Sequence, residues 1–321
     1  MANTHHWLIT GGAGFIGSHL ARTLVSQGQR VTVLDDLSGG SIDNLATIRD
    51  KIQFFQGDIC HFADIASIFR DVDYVLHHAA LVSVAESVQN PQKTTQINVE
   101  GTQNVLEAAR QNGVKRVIFA SSSAVYGNRT ELPYKESTPT DCQSPYAWSK
   151  QAAAQLCQLY TKTYGLETVS LRYFNVFGTG QNSNSAYAAV IAKFMQLAIE
   201  NKPLRIDWDG LQSRDFVHVS DVVQANLLAA QKGVSGEIYN VASGRTYTLL
   251  ELADILEKVT GQKLQRISTP KRPGDVHESS ADITKICALG FAPQVTLEQG
   301  LSEMWRERTR TLNPVLMCHT K

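Results

Sequence analysis

Short apolar runs alternate with segments of helical spacing through the first half of the chain, and this alternation limits the possible folds more than any other feature. The runs are WLIT, RVTVLD, KIQFFQGD, VDYVLHHAA, KRVIFASSS and ETVSLRYFNV. Strands that alternate with helices of roughly 10 to 20 residues form βαβ units, whose strands are parallel. The pattern therefore predicts an α/β fold with a doubly wound parallel sheet.

The alternation stops after Asn175, where a loop rich in Gly, Asn and Ser leads to a helix and a short strand, LRI. A later helix and the strand EIYNVA could rejoin the first sheet, whereas residues 246–321 supply more helices and one short strand, KLQRIS. We expect a Rossmann domain made of residues 1–175 and about 219–245. Residues 176–218 and 246–321 would form a smaller, discontinuous lobe over the carboxyl ends of the strands, where open α/β sheets bind ligands.

Composition and charge exclude several classes of function. Of the 321 residues 43% are apolar, and 30 basic side chains balance 30 acidic ones, which gives no support to a nucleic-acid or charged-membrane partner. The five cysteines include no C-x-x-C pair, which argues against a disulfide framework and against a zinc site. No apolar run approaches the ~18 residues of a membrane span, and the first strand begins too early for a signal peptide. We expect a cytoplasmic protein without a metal.

A glycine triplet follows the first predicted strand in LITGGAGFIGSHLA. Glycine permits a tight turn there and lets backbone N–H groups approach a pyrophosphate, while the dipole of the following helix favours the anion. A triplet alone is weak evidence, but here a strand precedes it and a helix follows. We therefore expect a dinucleotide to bind the backbone of Gly11, Gly14, Phe15, Ile16 and Gly17.

An acidic residue, Asp35, ends the second predicted strand in VTVLDDL. It lies about 20 residues beyond the glycines, where a carboxylate can accept hydrogen bonds from the adenosine ribose hydroxyls. Asp35 and Asp36 would repel a 2′-phosphate, and no arginine follows within that loop. These residues predict NAD, rather than NADP, as the cofactor.

The stretch SPYAWSK opens a predicted helix on which Tyr146 and Lys150 project from the same face, one turn apart. A nearby cation favours a phenolate and pulls the pKa of the phenol, normally about 10, towards neutrality. The pair could be a catalytic base or plain helix surface, and its spacing alone does not distinguish the two. Ser123, at the end of a predicted strand of the same sheet, is the candidate third group.

Three motifs in this order, T-G-x-x-G-x-x-G, S-S-S-x-V-Y-G and Y-x-x-x-K, resemble the extended short-chain dehydrogenase/reductase family over nearly the whole chain. The resemblance implies that Tyr146 is the base, that Lys150 lowers its pKa and holds the nicotinamide ribose, and that Ser123 bonds the reacting hydroxyl. It also implies further cofactor contacts: Asp58 and Ile59 at the adenine, Ala79 and Ala80 at the pyrophosphate and ribose, Asn98 as a structural residue on the cofactor side, and Tyr173 near the nicotinamide. His77 and His78 are interpreted as packing at a strand end.

Within that family the second half is similar to the nucleotide-sugar 4-epimerases, through LRYFNVFG, SRDFVHVSD and KRPGDVHESSAD. The resemblance implies a UDP-sugar whose diphosphate contacts Asn175, Arg214 and Arg272, and whose uridine ribose contacts Asp275. Guanidinium groups suit phosphate, and an acid suits vicinal hydroxyls. Arg214 could instead form a surface ion pair with Asp215. Sugar dehydratases need an acidic pair where AVYG follows the serines, so dehydration is not expected.

The run N-x-x-x-A-Y-x-A-V-I looks like that of epimerases acting on N-acetylhexosamines, which implies sugar contacts from Val190 and Ser83. Ser279 stands where glucose-restricted relatives carry Tyr, and its small side chain would leave room for an N-acetyl group. We therefore expect interconversion of UDP-N-acetylglucosamine and UDP-N-acetylgalactosamine, with UDP-glucose turned over less well. UDP-glucose or UDP-N-acetylglucosaminuronate as main substrate are the alternatives, and a non-catalytic NAD-sensing regulator is a remote one.

The family also implies a homodimer in which two long helices, here about residues 91–112 and 145–164, pair between subunits. The second of these helices carries four candidate interface positions that could equally belong to the core: Ala152, Ala153, Leu156 and Tyr160.

Overall fold

The computed structural model describes residues 4–181, 190–270 and 278–312. Within these ranges the strands are β1 (His6–Thr10), β2 (Arg30–Asp35), β3 (Gln53–Gln56), β4 (Tyr74–His77), β5 (Arg116–Ser122), β6 (Glu167–Tyr173), β7 (Asn175–Phe177), β8 (Leu204–Asp207), β9 (Ser213–His218), β10 (Ile238–Val241), β11 (Thr246–Thr248), β12 (Arg266–Thr269) and β13 (Glu278–Ser279). The helices are α1 (Phe15–Ser26), α2 (Phe62–Ile65), α3 (Val84–Gln89), α4 (Pro91–Thr95), α5 (Gly101–Gln111), α6 (Pro145–Tyr164), α7 (Val190–Ile199), α8 (Val219–Lys232), α9 (Leu249–Thr260), α10 (Thr284–Cys287) and α11 (Leu297–Leu312).

Seven parallel strands form the central sheet in the order β10-β6-β5-β4-β1-β2-β3. The chain proceeds outwards from β1 to β3 and then returns to β4 on the other side of β1. β1 and β4 pair in register, from Trp7 opposite Tyr74 to Thr10 opposite His77. The loops that follow these two strands therefore diverge, which opens a crevice at the carboxyl edge of the sheet. The predicted α/β fold with a doubly wound sheet is confirmed.

The two faces of the sheet are covered by different helices. Adjacent residues of β1 enter different cores: Ile9 packs in the cluster that includes α1 and α8, and Leu8 packs in the cluster that includes α5 and α6. Both side chains are fully buried, and each such burial stabilises the fold by roughly 1.5–3 kcal/mol. Strands covered on both faces read as continuous apolar runs, which is why the sequence predicts them well.

A smaller set of elements packs around its own core, in which Phe177, Met195, Leu252 and Leu301 meet. Its strands form the sheet β11-β9-β13, with β7 beside β9, and a separate pair, β12-β8. We expected one short strand after residue 246, and this was wrong, because β11, β12 and β13 all lie there. β11 and β13 have only three and two residues, too few to show a periodic pattern.

The predicted helix at about 91–112 is interrupted in its middle. A π-helical turn, Gln96–Glu100, separates α4 from α5 and carries the buried Asn98. Such wide turns are rare and frequently lie at functional sites. None of the described helices is both long and apolar enough to cross a lipid bilayer.

Candidate active site

The glycine loop joins β1 to α1 at the edge of the crevice. Gly11 has a φ of +69°, and a Cβ atom there would lie 2.6 Å from the backbone nitrogen of Ala79, so only glycine fits. At Gly17 a Cβ atom would lie 2.2 Å from the carbonyl oxygen of Gly11. Gly14 caps α1 without a side-chain hydrogen bond, and no acidic residue occupies the first turn. The N–H groups of that turn, which starts at Phe15 and Ile16, can therefore bind an anion.

Asp35 lies beside this loop at the end of β2. Its two carboxylate oxygens accept hydrogen bonds from the backbone nitrogens of Ala13, at 2.9 Å, and Leu37, at 2.8 Å. Burial raises the pKa of Asp35, while these two hydrogen bonds oppose that effect. The carboxylate is thus fixed at the side of the glycine loop, in the place expected for an acceptor of ribose hydroxyls.

The loop after β4, which carries Ala79 and Ala80, is fixed by Asn98. The Asn98 Oδ1 accepts from the Leu81 nitrogen at 2.8 Å, and Nδ2 donates to the Leu81 oxygen at 3.0 Å. Nδ2 also donates to the Ser149 Oγ on α6, at 2.9 Å. Asn98 therefore joins the crevice loop to the helix that carries Tyr146.

Tyr146 lies in the first turn of α6, and its backbone is held from two sides. Its nitrogen donates to the Ser87 Oγ at 3.1 Å, and its carbonyl oxygen accepts from the Ser149 Oγ at 2.8 Å. The helix begins here because Ser144 caps it, accepting from the Ala147 nitrogen at 3.1 Å, and because proline suits the first helical position. The phenol is thus presented from a rigid helix start.

Lys150 follows one turn later and is buried. Its ammonium group donates to the carbonyl oxygen of Ala120 in β5 at 2.8 Å and lies 5.0 Å from the centre of the Phe119 ring. Burial lowers the pKa of Lys150 to about 8. Burial also raises the pKa of Tyr146.

A side-chain hydrogen bond reaches the Tyr146 phenol from Ser122, whereas the sequence assigned to Ser123 a bond to the reacting hydroxyl of the substrate. Ser122 is the last residue of β5, and its hydrogen bond opposes the rise of the Tyr146 pKa. Ser123 starts a 3₁₀ turn, Ser123–Tyr126, that leaves the strand. The sequence has three consecutive serines and does not show which of them faces Tyr146, because that depends on the residue at which the strand ends.

Tyr173 ends β6, and its hydroxyl is already bonded. It donates to the Asn226 Oδ1 at 3.0 Å and lies 3.1 Å from the His78 Nε2, whose ring stacks on it. Any contact of Tyr173 with a nicotinamide would therefore come from its ring.

Arg214 and Ser279 lie side by side in the smaller sheet. They are register partners on β9 and β13, and partners on adjacent parallel strands project from the same face. Ser279 is 8% exposed. Asp215, the alternative partner of Arg214, has its carboxylate bonded to other groups. Asp215 is fully buried and accepts from the nitrogen and hydroxyl of Ser243, at 2.8 and 2.7 Å, and from the Gly244 nitrogen, at 3.0 Å.

The other expected contacts are distributed around the crevice. The Asn175 Nδ2 donates to the backbone carbonyl oxygen of Asp215 at 3.2 Å, and Ser83 caps α3. Asp58 accepts from the Cys60 nitrogen at 2.8 Å, Ile59 packs against Gly101, and Val190 starts α7. Two expected substrate residues lie outside the described residues: Arg272 and Asp275. The described residues include no cluster of three or more His, Cys, Asp or Glu side chains suited to a metal.

Residues 7–242 match the NAD dependent epimerase/dehydratase family. The chain belongs to this family. NAD is its cofactor, and the geometry fits NAD: the glycine loop has no room for side chains, the first turn of α1 is uncapped, and Asp35 lies beside both.

Solved structures of the family show the same fold. The UDP-N-acetylglucosamine 4-epimerase of Methanobrevibacter ruminantium is 37% identical, with a TM-score of 0.92 over 96% of this chain and 99% of that one. The UDP-glucose 4-epimerase of Thermotoga maritima is 36% identical, with the same TM-score and the same coverage. Among relatives compared by sequence, the UDP-glucose 4-epimerase of Mycolicibacterium smegmatis is 35% identical over 302 residues, which cover 92% of this chain and 96% of its own. Overall similarity therefore does not distinguish the two sugars.

Proposed function

We propose that this protein is an NAD-dependent 4-epimerase that interconverts UDP-N-acetylglucosamine and UDP-N-acetylgalactosamine and accepts UDP-glucose less well. The similarity to UDP-sugar 4-epimerases supports the reaction class. The observation that supports the N-acetylated sugar is the small, buried Ser279 beside Arg214. A serine there leaves space that a phenol side chain would fill.

In the proposed reaction Tyr146 accepts the proton of the 4-hydroxyl, and Ser122 holds that hydroxyl in line. Bound NAD supplies a reversible acceptor for the hydride at carbon 4. Lys150 contributes the buried cation that offsets the negative charge of the phenolate. The 4-keto sugar then turns within the site and is reduced on its other face, while Tyr146 returns the proton.

The substrate diphosphate would be held by Asn175, Arg214 and Arg272, and the uridine ribose by Asp275. A guanidinium group neutralises phosphate charge and forms paired hydrogen bonds with it. Ser83 and Val190 would contact the sugar. Within this proposal residues 1–175 and about 219–245 bind NAD, and residues 176–218 and 246–321 bind the UDP-sugar.

We also propose that the protein is a homodimer that associates through α6. Trp148 and Leu159 are each 50% exposed and lie eleven residues apart, which is about three helical turns, so they share one face. Ala152 lies between them on that face. Ala153 and Tyr160 are buried within the protomer and do not belong to it.

A substrate panel tests this function. The purified protein is incubated without added cofactor with UDP-N-acetylglucosamine, UDP-glucose or UDP-N-acetylglucosaminuronate, and the 4-epimers are separated and quantified. We expect the N-acetylated sugar to give the highest kcat/KM. Tyr146→Phe should lower kcat by at least about 10²-fold, which general-base catalysis usually supplies, with little change in binding. Net formation of NADH in step with turnover would instead indicate a dehydrogenase.

A further inference from the structure

His77 joins two elements that border the crevice. It is 1% exposed, and its ring lies between two threonine hydroxyls: the Thr10 Oγ1 is 2.7 Å from Nδ1, and the Thr102 Oγ1 is 2.9 Å from Nε2. Thr10 is the last residue of β1 and precedes the glycine loop, whereas Thr102 lies in the first turn of α5. The imidazole therefore links the end of β1, which leads into the glycine loop, to the start of α5.

Thr10, His77 and Thr102 form a chain of hydrogen bonds, and the bonds at its two ends decide which ring nitrogen of His77 carries the proton. Thr102 donates its only hydroxyl hydrogen to the backbone carbonyl oxygen of Asn98 at 2.7 Å, so towards His77 it can only accept. Nε2 must then carry the hydrogen. The Ala79 nitrogen donates to the Thr10 Oγ1 at 3.3 Å, and Thr10 donates to Nδ1. All donors point one way, from the Ala79 loop to Asn98.

A second proton on His77 would disrupt this chain. Nδ1 would become a donor, so the Thr10 hydroxyl would have to turn its hydrogen away and accept from both Nδ1 and the Ala79 nitrogen. The charged ring would also be buried close to the cation of Lys150 and beside His78. Burial, Lys150 and His78 all hold the pKa of His77 well below its ordinary value.

The chain continues to the catalytic helix. The backbone carbonyl of Asn98 accepts from Thr102, and the side chain of the same residue donates through Nδ2 to the Ser149 Oγ at 2.9 Å. The Ser149 Oγ donates to the carbonyl oxygen of Tyr146 at 2.8 Å. Asn98 and Ser149 are almost fully buried, so water does not compete for these bonds.

We propose that His77 is a positioning residue for the reaction. It is a neutral imidazole, protonated at Nε2, that fixes the loop after β4 relative to the turn that carries Tyr146. This inference rests on the proposed function. His77 acts through Thr10 and Thr102, and its loss loosens the loop after β4 and the start of α6 together.

Matched variants test the proposal. Thr102→Val removes the acceptor for Nε2–H at nearly constant volume, Thr102→Ser keeps it, and His77→Phe removes both bonds of the ring. His6→Phe is the control, since His6 is also a buried histidine bonded to a threonine, the Thr32 Oγ1 at 2.8 Å, but it starts β1 and lies at the opposite edge of the sheet.

We expect Thr102→Val and His77→Phe to release NAD at least about tenfold faster and to lower kcat at least about tenfold at saturating substrate. Thr102→Ser should stay within about twofold of the wild type. His6→Phe should lower the Tm and leave NAD release and kcat unchanged. Wild-type NAD release and kcat in Thr102→Val would overturn the proposal, and this holds even where His77→Phe does not fold.

The tautomer is measured directly on the wild-type protein with bound NAD. In ¹⁵N-histidine-labelled protein, the His77 signals, assigned through their displacement in Thr102→Ser, should show a protonated Nε2 and no titration from about pH 5.5 to about pH 8. A protonated Nδ1, or titration in that range, would contradict the proposal. NAD release and these spectra need no sugar, so they stand apart from any failure of the proposed epimerase activity.

Discussion

The side chain of Ser122 opposes, by a hydrogen bond, the rise that burial causes in the pKa of Tyr146, although 24 positions separate the two residues. The bond exists because β5 ends at Ser122, opposite the first turn of α6.

Ser122→Ala should therefore lower kcat by roughly 10- to 100-fold, since a hydrogen bond to a group that becomes charged is worth about 1.5–3 kcal/mol. Ser123→Ala is the matched control and should change kcat less than about twofold, because Ser123 lies in the turn beyond the strand. Steady-state kinetics of both variants decide between the two serines. A larger loss in Ser123→Ala would restore the assignment made from the sequence.

The buried ammonium of Lys150 should limit activity on the alkaline side. Its pKa is about 8, so the cation is complete well below pH 8 and is lost as the pH rises through that value. We expect kcat/KM to fall above about pH 8, because the phenolate of Tyr146 then lacks its cation. Lys150→Met should be less active at every pH and should lack this alkaline decline. If kcat/KM of Lys150→Met still falls above about pH 8, the titrating group is not Lys150.

Ser279→Tyr should abolish turnover of UDP-N-acetylglucosamine and spare UDP-glucose. A phenol at this position would fill space beside Arg214 that the N-acetyl group needs, whereas the smaller sugar loses at most packing, roughly 1–3 kcal/mol. The matched control is Glu278→Tyr, which places the same side chain at the exposed neighbouring position. Both variants are assayed on both sugars. Unimpaired turnover of the N-acetylated sugar by Ser279→Tyr would show that Ser279 does not set the preference.

Asp215 should make stability depend on pH between about 4 and 7. Burial raises its pKa from 3.8 to about 6. A group whose pKa is higher in the folded state stabilises fully below its unfolded pKa, and that contribution is lost as the pH rises through 6. Two pKa units correspond to roughly 3 kcal/mol in the free energy of unfolding.

The check on Asp215 is denaturant unfolding of the wild type and of Asp215→Asn at about pH 4 and about pH 7. The asparagine does not titrate, so the difference in stability between the two proteins should shift in favour of the variant at the higher pH. A difference that is the same at both pH values would mean that Asp215 titrates as it does in the unfolded chain.

The sequence predicted the central sheet because its strands are buried on both faces and read as apolar runs. It did not predict β13, since two residues hold their place only by pairing with β9. For the site, the motifs indicate which residues are candidates, but not which of them contact one another. The partner of Tyr146 and the bonds of His77 depend on where strands end and on contacts between residues 24 or more positions apart. No local pattern encodes such contacts.

The position of β10 in the sheet has a consequence for the order of folding. β6 lies between β5 and β10, but β10 is made only after the chain has passed through β7, β8 and β9. Until residue 241 leaves the ribosome, β6 is an open edge whose side chains from Thr168 to Tyr173 are all buried in the finished protein. Such an edge invites pairing with other chains. A fragment that ends near residue 175 should therefore aggregate, even though it contains six of the seven strands of the sheet.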